Sequence, residues 1–206
     1  MLNIAVLVSG GGTNLQALLD AQARGEIKNG KIVQVIASRE GVYALERAKK
    51  AGVPAKVVAR KGRTPEQFDQ ALTEALDACK ADLVVLAGFL SILGERVLSR
   101  YSNKILNIHP SLIPSFCGDG FYGLKVHEAV LEKGVKVTGA TVHFVNEVTD
   151  GGAILLQQPV AVLEADTPET LQRRVMEEAE WKLLPKAVSL FCEGRVEIDG
   201  NHTRIR

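Results

Sequence analysis

The first half of the chain alternates short apolar runs with stretches of helical periodicity, and that rhythm leaves few folds open. Residues 3–8, 32–38, 55–59 and 81–87 read as strands. A helical pattern begins at Leu15, a second covers 42–51 and closes at Gly52, and a third runs over 64–80 from the start signal Thr64-Pro65-Glu66. The apolar runs at 3–8 and 81–87 are continuous rather than alternating, as in strands covered on both faces. Strand and helix in strict alternation, joined by right-handed crossovers, imply an α/β fold: a Rossmann-like, doubly wound, mostly parallel sheet. Residues 105–109 should join that sheet beside 81–87. The later part differs in kind. Residues 137–145 alternate and are β-branched, 146–152 form an extended turn, and 153–162 return, which predicts an antiparallel C-terminal portion. A helical segment over 168–193 must be kinked or divided by Pro185, and 195–199 with 202–205 suggest a short hairpin. At 206 residues a single domain, 1–206, is expected.

Composition matters here for what it excludes. A net charge of +1 without any Lys/Arg block argues against a nucleic-acid surface, so an anionic ligand must be held locally. The apolar run at 83–93 is far shorter than the roughly 20 residues needed to span a bilayer. Cys79, Cys117 and Cys192 are odd in number, far apart and lack metal-type spacing, which fits a reducing compartment and no metal site. Residues 1–8 have no basic segment of a secretory signal, so a cytoplasmic location is expected.

Two stretches carry chemistry. Ser9-Gly10-Gly11-Gly12-Thr13-Asn14 stands between the first strand and the first helix. Glycines let the backbone approach an anion, and free amides at the helix start point at it; Thr13 or Asn14 would cap the helix or bond a phosphate. The turn is neither the dinucleotide fingerprint nor a Walker loop, so a mononucleotide-like or sugar-phosphate ligand fits better. The second stretch is Lys104-Ile105-Leu106-Asn107-Ile108-His109-Pro110-Ser111-Leu112-Ile113-Pro114. Asn107 and His109, two apart at a strand end, project from one face, where an amide donor and an imidazole would stabilise negative charge on a carbonyl oxygen. The same spacing also suits a turn residue and a capped sheet edge. Asp150 reads equally as a turn residue of Asp150-Gly151-Gly152. Cys117 suits a turn as a small residue, and His127 falls on a helix face.

Those stretches, with Ala87-Gly88-Phe89 and residues 139–150, closely resemble the phosphoribosylglycinamide (glycinamide ribonucleotide) formyltransferases of purine synthesis, over roughly residues 2–195. The Asn-x-His-Pro-Ser-Leu-x-Pro stretch is similar to formyl-transferring folate enzymes in general, and the glycine turn narrows the likeness. The resemblance implies the formyltransferase fold and transfer of a formyl group from 10-formyltetrahydrofolate, a co-substrate, to the amine of 5′-phosphoribosylglycinamide, with no metal. It assigns catalysis to Asn107, His109 and Asp150. Gly12, Thr13, Asn14 and Glu180 would hold the ribonucleotide, while Leu90, Ser91, Ile92 and Leu93, with Asn107, would hold the folate. Residues of about 1–100 would be the phosphate-binding half, and about 101–206 the catalytic and folate-binding half. His109 is expected to be held as imidazolium by Asp150. Partners would be the two small molecules alone, in a monomer or homodimer. Departures from the family pattern are Trp181 in place of a common His, a basic residue displaced from near Pro65 to Arg60, Lys61 or Arg63, and a longer loop around Phe121-Tyr122-Gly123. Two other functions share parts of this pattern. A formyltetrahydrofolate hydrolase uses a similar catalytic domain with water as acceptor, usually behind an N-terminal regulatory domain, whereas this chain starts at its first strand. A dinucleotide oxidoreductase would need G-x-G-x-x-G and an acidic residue after the second strand, where Ser38-Arg39 stands.

Overall fold

A computed structural model describes all residues, 1–206. Seven strands form one sheet in the order β3-β2-β1-β4-β5-β6-β7, where β1 is Leu2–Val8, β2 Gly30–Ala37, β3 Ala55–Val57, β4 Leu83–Leu86, β5 Ile105–His109, β6 Val137–Phe144 and β7 Ile154–Ala161. β1 to β5 are parallel, and β6 and β7 are antiparallel to their neighbours, so the antiparallel C-terminal portion is where the sequence placed it. The helices between the parallel strands are α1 (Thr13–Ala23), α2 (Tyr43–Lys50), α3 (Pro65–Ala78) and α4 (Glu95–Arg100). β1 shows why its apolar run is unbroken. Ile4, Val6 and Val8 enter the core on one face, with Leu15 and Leu18 of α1, and Ala5 and Leu7 enter the core on the other, with Phe68 and Leu72 of α3. Thr64 opens α3 with a reciprocal capping box to Gln67. The chain runs outward from β1 to β3 and then crosses back to β4, so β1 and β4 flank the point where strand order reverses, the crevice where open α/β sheets bind ligands.

Helix α5 (Leu124–Lys133) precedes β6, and α6 (Pro168–Val175) and α7 (Trp181–Cys192) follow β7, ahead of the terminal hairpin of β8 (Val196–Asp199) and β9 (His202–Ile205). Pro185 does not divide the long helical segment: it lies inside α7, and the interruption is a widened π-turn, Met176–Glu180. The residues facing the core explain the placement. Leu171, Val175, Ala179 and Leu183 are all buried at a spacing of four, longer than the 3.6 of an α-helix. A wider turn at 176–180 restores the phase, so that Leu184, Ala187 and Val188 continue the same apolar stripe.

Candidate active site

The end of β5 opens into a cleft of about 550 Å³ beyond the carboxyl end of β4. It draws on both halves of the chain: residues 88–93 from the first, and residues 107–110, 118–123 and 145–150 from the second. Asn107, His109 and Asp150 all line it, so the structure brings the three candidate catalytic residues together. Asp150 arrives from the β6–β7 connection in a left-handed conformation (φ 53°), which aspartate tolerates. Two residues later Gly152 lies so close to the Phe144 carbonyl that any side chain would collide with it. That close approach folds the Asp-Gly-Gly turn back over the strand ends.

The carboxylate of Asp150 stands between two imidazoles. Its Oδ2 is 3.5 Å from His109 Nδ1 and its Oδ1 is 3.5 Å from His143 Nε2. His143 is the functional candidate that reading the sequence missed. It pairs with Asn107 in the β5–β6 register, just after a bulge in β6, and is 1% exposed. Its Nδ1 faces the Phe144 carbonyl at 2.9 Å, which puts the proton there and leaves Nε2 to accept from the Asn107 amide at 3.1 Å. The amide orientation of Asn107 is thereby set. Period-two alternation puts His143 on one face of its strand, but only the register shows that the face is that of Asn107.

Electrostatics correct one expectation. Burial lowers the proton affinity of His109 more than Asp150 and the Phe116 carbonyl raise it, and His143 lowers it further. The ring is therefore neutral at neutral pH rather than a standing imidazolium. Burial alone would raise Asp150, but the adjoining His143 and His109 rings and the Gly118 N–H that donates to it outweigh that and hold the carboxyl below its ordinary value, ionised. A neutral base beside a fixed carboxylate is suited to taking up a proton.

The glycine turn after β1 is shaped by α2. Ala44 N–H donates to the Gly10 carbonyl (3.2 Å), and Arg47, stacked on Tyr43, donates through Nε to the Gly11 carbonyl at 2.8 Å. Arg47, absent from the candidates above, thus brings a cation against the turn. α1 starts at Thr13 with no side-chain cap, leaving its first amides open. Gly12 is left-handed (φ 75°), and a Cβ there would sit 2.7 Å from Ala44 Cβ, so it serves the α2 contact as much as any ligand. Nothing lies within 4 Å of where a Cβ would stand on Gly11. If the turn cradles a phosphate, Gly11→Val should raise KM for the ribonucleotide about tenfold or more with little effect on melting temperature, while Gly12→Val also destabilises the fold. Equal KM values for Gly11→Val and the native chain would remove the phosphate from this turn.

Asn14 does not face outward with the turn. Its Nδ2 donates at 2.6 Å to Glu180 Oε2, the last residue of the π-turn, and its buried Oδ1 has no partner. Trp181 Nε1 is also buried without a partner. Burial pushes the Glu180 carboxyl up to about 7, against the Asn14 hydrogen bond. Because the folded value lies above the unfolded one, the folded chain binds the extra proton between about pH 4.5 and 7. Stability from this group is complete below that window and lost as pH rises through it, by about 3 kcal/mol. Glu180→Gln keeps the bond from Asn14 and should abolish this loss, melting several degrees higher than the native chain at pH 8 and level with it at pH 4. Parallel melting curves across that range would show that Glu180 does not titrate there.

Leu90, Ser91, Ile92 and Leu93 all line the cleft, Leu93 buried beneath it and Ile92 88% exposed at its rim. The loop is tied to the glycine turn through Ser9, whose Oγ accepts from Leu90 N–H at 2.9 Å and contacts Ser38 Oγ at 2.6 Å. Of the displaced basic residues, Arg60 lies over the ring of Phe68, which stacks on Phe89 at the cleft wall.

This fold, with an amide, two imidazoles and a carboxylate gathered at the end of β5, is that of the formyl transferase family, whose profile matches residues 2–188. The chain belongs to that family, in the phosphoribosylglycinamide formyltransferase branch. It is 41% identical over 202 residues to phosphoribosylglycinamide formyltransferase of Haemophilus influenzae, covering 98% of this chain and 92% of that protein. The crystal structure of glycinamide ribonucleotide transformylase 1 from Symbiobacterium toebii superimposes with a TM-score of 0.93 at 47% identity, covering 100% of this chain and 94% of that one. The trifunctional purine biosynthetic protein adenosine-3 of Bos taurus is 45% identical over 199 residues, 96% of this chain, which spans only 19% of that protein's length.

Proposed function

We propose that this chain transfers the formyl group of 10-formyltetrahydrofolate to the amine of 5′-phosphoribosylglycinamide, in the cytoplasm, as a monomer or homodimer. The observation that carries the proposal is the convergence of Asn107, His109 and Asp150 on one cleft lined by the apolar loop 88–93, which Ser9 ties to the glycine turn. The cleft suits the folate: about 550 Å³ is within the range of small-molecule sites, and the walls offered by Leu90, Ile92, Phe121 and Val148 are apolar. No helix is long and apolar enough to cross a membrane.

In this reading the amine adds to the formyl carbon while the Asn107 amide donates to the oxygen on which negative charge grows. The amine loses a proton to the His109–Asp150 pair. His109 takes it on Nδ1 as the ring becomes imidazolium, and the adjacent carboxylate stabilises that charge. As the bond from carbon to the folate nitrogen breaks, the same proton passes to that nitrogen, so none is gained or lost overall. Gly12 and Thr13 would hold the phosphate at the open amides of α1, Asn14 would act through Glu180, and Glu180 would contact the ribonucleotide. Leu90, Ser91, Ile92 and Leu93 would seat the folate beside Asn107. The phosphate half of about 1–100 and the catalytic and folate half of about 101–206 would therefore work as one domain. Incubating the purified chain with both substrates should give formylglycinamide ribonucleotide in step with tetrahydrofolate; failure to form that product sinks the proposal.

A further inference from the structure

His109 and Asp150 are both gripped by the main chain of one three-residue segment. The Phe116 carbonyl faces His109 Nε2 at 2.9 Å, and the Gly118 N–H donates at 2.9 Å to Asp150 Oδ2. That oxygen is the one turned toward His109 Nδ1, which stands off at 3.5 Å, beyond an ordinary N–H···O distance. Phe116 reaches its carbonyl into place from a left-handed backbone (φ 50°), a conformation that bulky side chains seldom adopt. The conformation is held by the chain ahead of it and by the Phe116 ring itself. Ahead of it, Ser111 Oγ donates to the Ser115 carbonyl at 2.6 Å and Ile113 N–H donates to Thr141 Oγ1 at 3.1 Å. On its own account the Phe116 ring packs against the larger core and edge-on to Phe121, which lines the cleft.

We infer that the backbone of residues 116–118 is a positioning element that fixes which ring nitrogen of His109 carries its proton. The Phe116 carbonyl keeps it on Nε2, and the Gly118 N–H occupies the carboxylate oxygen that would otherwise draw it to Nδ1. Nδ1 is thus left as the open site for the proton released in the reaction. A carbonyl accepts only, so the ring nitrogen facing it must carry hydrogen, and a carboxylate oxygen already bonded at 2.9 Å competes less well for the ring. Fixing the wrong tautomer of a catalytic histidine is costly even where every group stays in place. The use of Nδ1 rests on the acyl-transfer reading, whereas the tautomer itself does not.

The test is a long-range ¹H–¹⁵N correlation spectrum of the full chain labelled with ¹⁵N-histidine at pH 8, where His109 is neutral, with its signals assigned by their absence in His109→Gln. The native chain should show His109 in the Nε2–H form. Phe116→Asn, which tolerates the left-handed backbone, should keep that form. Phe116→Val, which does not, should move the ring toward Nδ1–H and lower kcat about tenfold or more, with KM for both substrates within about twofold of native. An Nδ1–H ring in the native chain overturns the inference, as does a folded Phe116→Val with the native tautomer. Should Phe116→Val fail to fold, the native chain and Phe116→Asn decide: Nε2–H in both supports the clamp, and Nδ1–H in either overturns it. The predicted tautomer in a chain that forms no formylglycinamide ribonucleotide would leave the clamp standing and fail the acyl-transfer reading instead.

Discussion

Alanine at Asn107, His109 or Asp150 is expected to lower kcat at least about a hundredfold each, the usual cost of removing a group that stabilises charge in the transition state. KM for either substrate should move far less, because apart from Asn107 the residues of the cleft wall and the glycine turn that would hold the substrates are others. The carboxylate lies 3.5 Å from each imidazole, and His143 bonds the Asn107 amide, so the groups form one connected set. Groups that act as a unit lose their effect together, and His109→Ala/Asp150→Ala should cost much less than the product of the two single losses. Steady-state kinetics on the two single variants and the double variant, with melting temperatures as a control for folding, checks this. Multiplicative losses would mean that His109 and Asp150 act independently, and a fully active Asp150→Ala would return that residue to a turn-forming role. Asp150→Asn is the informative companion. It preserves an acceptor for the Gly118 N–H but removes the charge that supports protonation of His109.

Turnover of 10-formyltetrahydrofolate should be slow with the folate alone and rise by orders of magnitude when glycinamide ribonucleotide is added, with little free formate. A transferase gains from holding the amine in attack geometry, and orientation fixed beforehand is worth about 7–11 kcal/mol, whereas hydrolysis needs only an ordered water. On the proposed reading the element that would fix that geometry is the glycine turn, braced by Ala44 and Arg47 of α2 and linked through Ser9 to the loop that lines the cleft. Measuring tetrahydrofolate, formate and formylglycinamide ribonucleotide with and without the acceptor separates the two chemistries. Equal rates with formate accumulating would make the chain a hydrolase and give the glycine turn to another anion.

Much of this was legible in one dimension because it depends on local rules. The unbroken apolar runs of β1 and β4 meant strands buried on both faces, the Thr64-Pro65 signal marked the start of α3, and the two-residue spacing of Asn107 and His109 put both at one strand end. What the sequence could not contain is anything fixed by register or by burial. His143 joins the site only because β6 pairs antiparallel with β5 and sets it opposite Asn107, residues 36 apart in the chain. Asn14 turns from a ligand-facing position to Glu180, 166 residues away, because a π-turn rephases the last helices over the sheet. The charge on His109 was decided by packing. An aspartate nearby is readable from a motif, but the desolvation that outweighs its attraction exists only once the chain has closed around the ring.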